Sequence, residues 1–291
     1  MRPEESRYIT WLDEQGIRLF RAAGTYWRLY RGALLPALPS PCFVRLQPEE
    51  ARSLLKKSRA WFIRYESEPC ERETEWWHVL CDSYSPDKLS SKVRNIIKHG
   101  NRNCSIRPVD AEWLAANGYE CYSAAYTRYT NARPLKRELF NAELLKTAEG
   151  PFEYWGVFVK ESLAGYCQCI VEKNEAATNI VKYHPAFLKY QASYALITAI
   201  ITHYVLEKGM TVSNGTRSIV HDTKFQDFLL KLGFRRQFCR LNIVYQPWME
   251  FAIKTLFPFR NQLLRLPAHG PVNNLRAILY QEDLRRTCNV R

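Results

Sequence analysis

The side chains best equipped for chemistry sit in clusters. Residues 89–102 read LSSKVRNIIKHGNR. Ser90 or Ser91 can cap a helix there, Val93, Ile96 and Ile97 take one face, and Lys92, Arg94, Lys98 and Arg102 spread over the others. A charge run of this kind is either a solvated face or an anion-facing patch. In the second case Arg94, Lys98 and Arg102 are the candidates for binding a phosphorylated group. A second cluster follows in a stretch expected to be helical over 113–129. Tyr119, Tyr122, Tyr126 and Tyr129 recur at i, i+3, i+7 and i+10, so their rings share a helix face, with Arg128 beside them. Such a stripe is either core or site, and buried tyrosine hydroxyls need partners in both cases; Tyr126 and Arg128 join the substrate-contact candidates.

Composition sets the frame for these residues. The chain has 291 residues, 46% hydrophobic and 24% charged, enough for a real core and compatible with two lobes or one enlarged domain. Its net charge of +13 raises the local concentration of anions, so nucleic acid, phosphorylated carriers and anionic lipid are all fitting partners. No apolar run is long enough to span a membrane. The start, MRPEESRYITWLDEQG, carries acids where a signal peptide carries bases, and a cytoplasmic protein is the expectation. The nine cysteines show no framework spacing. Cys167 and Cys169 fall two apart in an expected strand, pointing the same way as reduced core thiols.

The elements that must position the candidates follow from periodicity. Trp11-Leu12, Ile17 and Leu19-Phe20 suggest a helix followed by a short strand around Thr25 to Tyr30, and three prolines within 36–41 mark a loop. Gln47-Pro48-Glu49-Glu50 opens a helix to about residue 58. Strands are expected at 60–65 and 76–81 with a charged loop over 66–75 between them, then at 105–109 after the basic helix. One more helix is expected over 135–147. From 152 to 245 the expected order is strand (152–159), strand (163–172), strand (179–183), one long helix (189–206), strand (210–215), short helix, strand (237–245). Beyond Pro247 come short amphipathic helices carrying basic residues. These either pack on the body or lie on an anionic membrane surface.

Three sets of residues in this order resemble a known family. Residues 91–98, SKVRNIIK, are similar to the K-x-R-x-x-I-[RK] helix of the FemAB-like branch of the GNAT N-acyltransferase superfamily. Residues 155–160 and 163–166, WGVFVK and LAGY, resemble its strand–turn–strand pair. Asn214-Gly215 with Lys224-Phe225 and the run to Leu232-Gly233-Phe234 resemble its N-G … F-x-x-x-[LF]-G-F close. The resemblance covers about residues 60 to 246. It implies an α/β (α+β) GNAT-like fold: a central mixed, mostly antiparallel sheet flanked by helices, with extra N-terminal and C-terminal helical segments. The expected division is an N-terminal segment 1–59, an acyltransferase core 60–246 and a C-terminal amphipathic extension 247–291.

The activity implied is acyl transfer to an amine along a strand edge, where a backbone N–H holds the oxyanion. Tyr183, His184, Asn214 and Lys182 are then the catalytic candidates: His184 as base or as a structural histidine beside Pro185, Tyr183 as proton donor to the leaving group, Asn214 and Lys182 on the carbonyl or acceptor. Glu153 and Glu172 stand as alternatives. Donor contacts fall to Lys189, Tyr190, Gln191 and Ser193, at the N-terminus of the long helix, where free N–H groups suit a phosphate. Coenzyme-A-binding members carry a glycine-rich loop here, whereas residues 185–193, PAFLKYQAS, have no glycine, and close approach of a pyrophosphate depends on glycine. FemAB-type enzymes share that departure and use aminoacyl-tRNA. The resemblance thus implies no permanently bound cofactor and acyl-CoA or aminoacyl-tRNA as co-substrate. The acceptor is an amine-bearing small molecule or a bacterial cell-envelope precursor. A CoA-dependent acetyltransferase of an amino sugar or other small amine is the nearest alternative. An inactive relative that binds RNA or an anionic membrane, with its C-terminal helices peripheral to the inner face, is the further one.

Overall fold

The structure is a computed structural model in which residues 6–39, 41–129, 132–217, 219, 224–263 and 270–288 are described. In chain order the elements are α1 (Arg7–Glu14), β1 (Leu19–Ala22), β2 (Thr25–Tyr30), β3 (Ala33–Pro36), α2 (Pro48–Ser58), β4 (Phe62–Pro69) and β5 (Trp77–Cys81). Then come α3 (Ser91–Asn103), β6 (Ser105–Val109), α4 (Ala111–Asn117), α5 (Tyr119–Ala125), α6 (Arg137–Leu145), β7 (Phe152–Val159), β8 (Ser162–Glu172) and β9 (Glu175–Tyr183). The chain closes with α7 (Ala192–Ile201), β10 (Thr211–Thr216), α8 (Phe225–Lys231), β11 (Arg235–Tyr245), α9 (Pro247–Leu256), α10 (Arg260–Leu263) and α11 (Gly270–Cys288). No helix among the described residues is long and apolar enough to cross a membrane.

Two compact units form, and they cut across the divisions expected at 59/60 and 246/247. The first comprises the described residues of Met1–His78, Thr216–Lys224 and Arg236–Arg291; the second comprises Val79–Gly215 and Phe225–Arg235. The first unit orders its strands β1-β2-β3-β4-β11, with β3 and β4 parallel and the other pairs antiparallel. Trp27, Leu34, Leu54, Leu55 and Ile63 pack together in its core, and Leu241, Leu284 and Cys288 in a second cluster. The start of α2 comes out as its sequence reads. Pro48 occupies the first turn, and Glu50 accepts from the N–H groups of Gln47 (3.1 Å) and Ala23 (2.9 Å). The charged stretch after residue 65 is partly strand. β4 continues to Pro69 because β11 pairs with it through Leu241↔Glu66 and Cys239↔Pro69, and buried Glu66 accepts from Trp76 Nε1 at 2.9 Å.

In the second unit the order is β10-β9-β8-β7-β6, with β10 and β9 parallel and the remainder antiparallel. The mixed, mostly antiparallel sheet is the expected one. On one side Leu114, Tyr122, Phe140 and Leu144 of α4 to α6 pack against Tyr154 and Tyr166; α7, buried at Ala192, Ala195, Leu196, Ile197, Ile200 and Ile201, packs on β7 and β8. Two expected helices come out in pieces. Residues 113–129 divide at Gly118 into α4, α5 and a 3-10 turn at Tyr126–Arg128; residues 189–206 form a 3-10 turn Pro185–Tyr190, then α7, then a π turn Thr202–Glu207. All nine cysteines are free thiols, and those of Cys167 and Cys169 lie 3.7 Å apart on one face of β8.

Candidate active site

The second unit's sheet opens at one place. β9 and β10 pair from Thr211↔Glu175 to Ser213↔Ala177, after which β9 continues to Tyr183 paired with β8 alone. Side chains close the crotch of this fork. Thr178 Oγ1 donates to the Ser213 carbonyl at 2.9 Å and accepts from Asn214 Nδ2 at 2.7 Å, and Ser213 Oγ donates to Glu175 Oε1 at 2.6 Å. The hydroxyl of Thr178 therefore stands where the next ladder bond would be. A bulge lies immediately beyond, between Cys169↔Thr178 and Gln168↔Ile180, leaving Asn179 unpaired. Asn179 Nδ2 donates to Gln168 Oε1 (2.6 Å), Gln168 Nε2 donates to Tyr154 OH (2.5 Å), and that hydroxyl meets Thr147 Oγ1 at 2.6 Å.

Strand alternation then sets which backbone groups face the opening. His184 N–H donates to the Ala164 carbonyl of the β8 side at 2.9 Å, so Lys182 and Ile180 also turn toward β8. The N–H groups of Val181 and Tyr183 point the other way, to the side from which β10 has departed. An N–H on an unpaired strand edge can hold a carbonyl oxygen as charge develops on it, and these two, about 6.6 Å apart along an extended strand, serve separate acceptors.

Of the expected catalytic residues, Asn214 stands at the fork and is anchored by Thr178. Lys182 and Tyr183 are neighbours in sequence but go to opposite faces of the sheet, because the side-chain period of a strand is two. Lys182 Nζ lies 4.4 Å and 4.9 Å over the rings of Tyr126 and Tyr129, so Tyr126 from the substrate-contact set meets Lys182 from the catalytic set. The Tyr183 ring packs on Gly165, where a Cβ would come within 2.5 Å of it. Its hydroxyl is buried without a hydrogen-bond partner, and burial beside Cys167 and Cys121 pushes it well above the usual tyrosine range. That group is a proton donor only. His184 Nδ1 accepts from Ala186 N–H at 3.2 Å; in the neutral ring Nε2 then carries the proton, which makes His184 a cap for the following turn and a donor at its free nitrogen.

The donor set occupies the connection into α7. Gln191 sits in the left-handed region, φ +61, and caps α7 without a side-chain bond. The loop thus makes with glutamine the conformation glycine makes without strain. Lys189 is exposed with Nζ 5.2 Å over the Tyr190 ring, the Tyr190 carbonyl accepts from Cys104 Sγ at 3.6 Å, and Ser193 lies in the first turn of α7. α3 packs against this first turn through Gly100, where a Cβ would be 2.9 Å from the Gln191 carbonyl oxygen and 3.3 Å from Ala195 Cβ. Tyr194 of α7 meets Phe228 of α8 edge-on at 4.9 Å.

On α3, Arg94 holds its own loop, donating to the carbonyls of Asp87 (3.0 Å) and Leu89 (2.5 Å) and to Ser91 Oγ (3.2 Å). Lys98, Arg102 and, on its 3-10 turn, Arg128 are exposed. A cup of about 460 Å³ opens where α3 begins and α8 ends, lined by Ser83, Tyr84, Ser85, Lys88, Ser90 and Lys231 among others. Sequence reading passed over Lys88 and Lys231 because they lie 143 residues apart. It also passed over Thr178, Ser213, Glu175 and Gln168, whose only signal was polarity inside apolar strands. Of the alternative carboxylates, Glu172 is buried, and Glu153 accepts from Tyr204 OH at 2.6 Å beside a cavity of about 330 Å³ that Trp155 and His203 also line. Burial raises Glu175 to about 7 against the lowering effect of its bond from Ser213.

No protein-family model and no curated protein sequence matches the chain. Solved structures do. The C-terminal domain of a protein assigned as a lysylphosphatidylglycerol synthetase from Agrobacterium fabrum aligns with TM-score 0.58 at 10% identity, over 88% of this chain and 93% of that one. L-PGS from Bacillus licheniformis aligns with TM-score 0.53 at 10% identity, over 100% and 98%. FemX aligns with TM-score 0.54 at 8% identity, over 85% and 92%. At such identities the likeness is one of fold: the chain has a GNAT-like fold, a mixed, mostly antiparallel sheet flanked by helices.

Proposed function

We propose that this chain transfers an aminoacyl group from an aminoacyl-tRNA to an amine, in the FemAB-like manner, with the fork between β9 and β10 as its acyl site. The observation that carries the reading is the unpaired edge of β9 after Ala177, with the N–H groups of Val181 and Tyr183 turned into it beside Asn214. An ester carbonyl seated there has one of these N–H groups as its oxyanion donor. The acceptor nitrogen attacks the carbonyl carbon, the C–O bond to the tRNA ribose breaks, the attacking amine loses a proton to a water or a nearby base, and the departing oxygen takes one. That last proton comes from water, because the Tyr183 hydroxyl is buried and burial holds it well above the usual tyrosine range. Lys182, with Tyr126 and Tyr129 around its ammonium, suits the carboxylate or phosphate of an anionic acceptor.

The choice of donor rests on the connection into α7. Its left-handed residue is a glutamine, its first turn lies against Gly100, and no glycine lets a pyrophosphate approach. Meanwhile Lys98 and Arg102 are exposed, and Lys88 and Lys231 line one cup. This pattern favours a polyanion over coenzyme A. Among the solved structures of like fold, the name lysylphosphatidylglycerol synthetase denotes the joining of a lysyl group to a lipid. A cytoplasmic enzyme acting on a cell-envelope acceptor is consistent with this reading.

Thermal unfolding with each donor tests it by mass action. Aminoacyl-tRNA in micromolar excess is expected to raise the Tm and retain its effect against heparin, while acetyl-CoA at millimolar concentration leaves the Tm where it was. A rise with acetyl-CoA and none with tRNA would assign the CoA-dependent reaction instead.

A further inference from the structure

In the first unit, α9 carries apolar side chains on two faces. Met249 and Ile253, and Phe257 one turn on, form an inner stripe buried with Leu279 of α11. That stripe accounts for the packing of the helix. Trp248 and Phe251 point the other way, 58% and 74% exposed. The exposed surface continues beyond the helix. Trp61, 44% exposed, meets Trp248 edge-on at 6.4 Å. Its N–H donates to the Gly32 carbonyl at 2.8 Å, its own carbonyl accepts from Gln246 N–H at 2.9 Å, and its ring lies over Gly32. Leu29 and Tyr30, 49% and 51% exposed, precede this turn and point to opposite faces of β2. Trp61, Trp248 and Phe251 therefore share one surface beside the Gly32 turn, larger than the single exposed apolar residues normal on a soluble protein.

Cations border it. The Arg31 guanidinium lies 5.4 Å over the Tyr30 ring. Lys56, Lys57 and Arg59 close α2, whose Leu55 carbonyl accepts from Gln246 Nε2 at 3.1 Å. None of these four is in an ion pair among the described residues. The acid on α9, Glu250, is held by Lys254 at 2.7 Å.

We propose that this face docks on an anionic lipid surface, with Trp248, Phe251 and Trp61 in the interfacial region and Arg31, Lys56, Lys57 and Arg59 against the headgroups. Exposed Trp and Phe beside unpaired Lys and Arg is the composition of an interfacial surface. A second copy fits poorly, because a two-fold contact through this face would set the same four cations against themselves. The proposal does not depend on the acyl-transfer reading.

The test is co-sedimentation of the full chain with vesicles of phosphatidylcholine alone and of phosphatidylcholine mixed with phosphatidylglycerol. Binding is expected to the mixed vesicles, to weaken with salt, and to fall about tenfold or more in a Trp248→Ser, Phe251→Ser double variant whose melting curve is unchanged. A Lys56→Glu, Lys57→Glu variant is expected to lose the preference for the anionic vesicles. Failure to bind the mixed vesicles overturns the proposal, as does binding that both variants retain. A dimer that the Trp248→Ser, Phe251→Ser substitutions dissociate, with no vesicle binding, would assign the face to self-association.

Discussion

Gly165 lies where the two faces of β9 are set. A Cβ at this position would stand 2.5 Å from the Tyr183 ring and 2.8 Å from the Lys182 carbonyl oxygen, and a backbone oxygen cannot swing aside as a side chain can. Gly165→Ala is therefore expected to lower stability by roughly 1–3 kcal/mol, read from denaturant midpoints, and to displace Tyr183 from the fork. Two other residues set how stability follows pH, with opposite signs. Burial lowers His78 to about 4; the unfolded chain binds that proton first, so its contribution is lost as pH falls from about 6.5 toward 4. Glu175 is raised to about 7; here the folded chain binds the proton more tightly, so stability falls as pH rises from about 4.5 toward 7. Glu175→Gln is expected to abolish the second slope and leave the first, in unfolding curves taken from pH 4 to 8.

At the scale of elements, α3 does two jobs that its sequence states separately. Gly100 lets its backbone meet the first turn of α7, and a Gly100→Val substitution is expected to cost about 1–3 kcal/mol by overpacking that contact. Its basic positions divide: Arg94 pins the preceding loop, while Lys98 and Arg102 face solvent. Arg94→Ala should then lower the Tm, and Lys88→Ala with Lys231→Ala should leave the Tm unchanged while reducing the salt slope of RNA binding by about 2. Filter binding across a salt series separates the two. The same contrast shows what periodicity can and cannot reveal. A run of apolar residues announced the region of α7, but the break at Gln191 follows from α3 lying against it, a contact between segments 91 residues apart.

Over the whole molecule, the first unit is made from both ends of the chain, and α11 secures it. Buried Glu282 accepts from Arg285 at 2.7 Å, Arg286 at 2.8 Å and Tyr245 OH at 3.0 Å, and Arg64 of β4 donates to Gln281 at 3.0 Å. Its two arginines hold the Glu282 carboxyl below the usual range even though burial alone would raise it. Glu282→Ala leaves two guanidinium groups and a buried hydroxyl short of a partner. The expected loss is about 2–4 kcal/mol, and limited proteolysis should then cut first within the first unit.

The sequence alone determined the strand and helix order from 152 to 245, the start of α2, the basic α3 and the orientation of Cys167 and Cys169. Each of these follows from residue type and from periods of two and 3.6, which are local properties. Only the tertiary structure decided that β4 runs through the charged stretch to Pro69, that Lys182 and Asn214 find Tyr126 and Thr178, that Lys88 and Lys231 line one cup, and that Trp248 and Phe251 stay in solvent. Those outcomes depend on which strand pairs with which and on what covers a helix face, and such pairings join residues too far apart in the chain for any local pattern to record them.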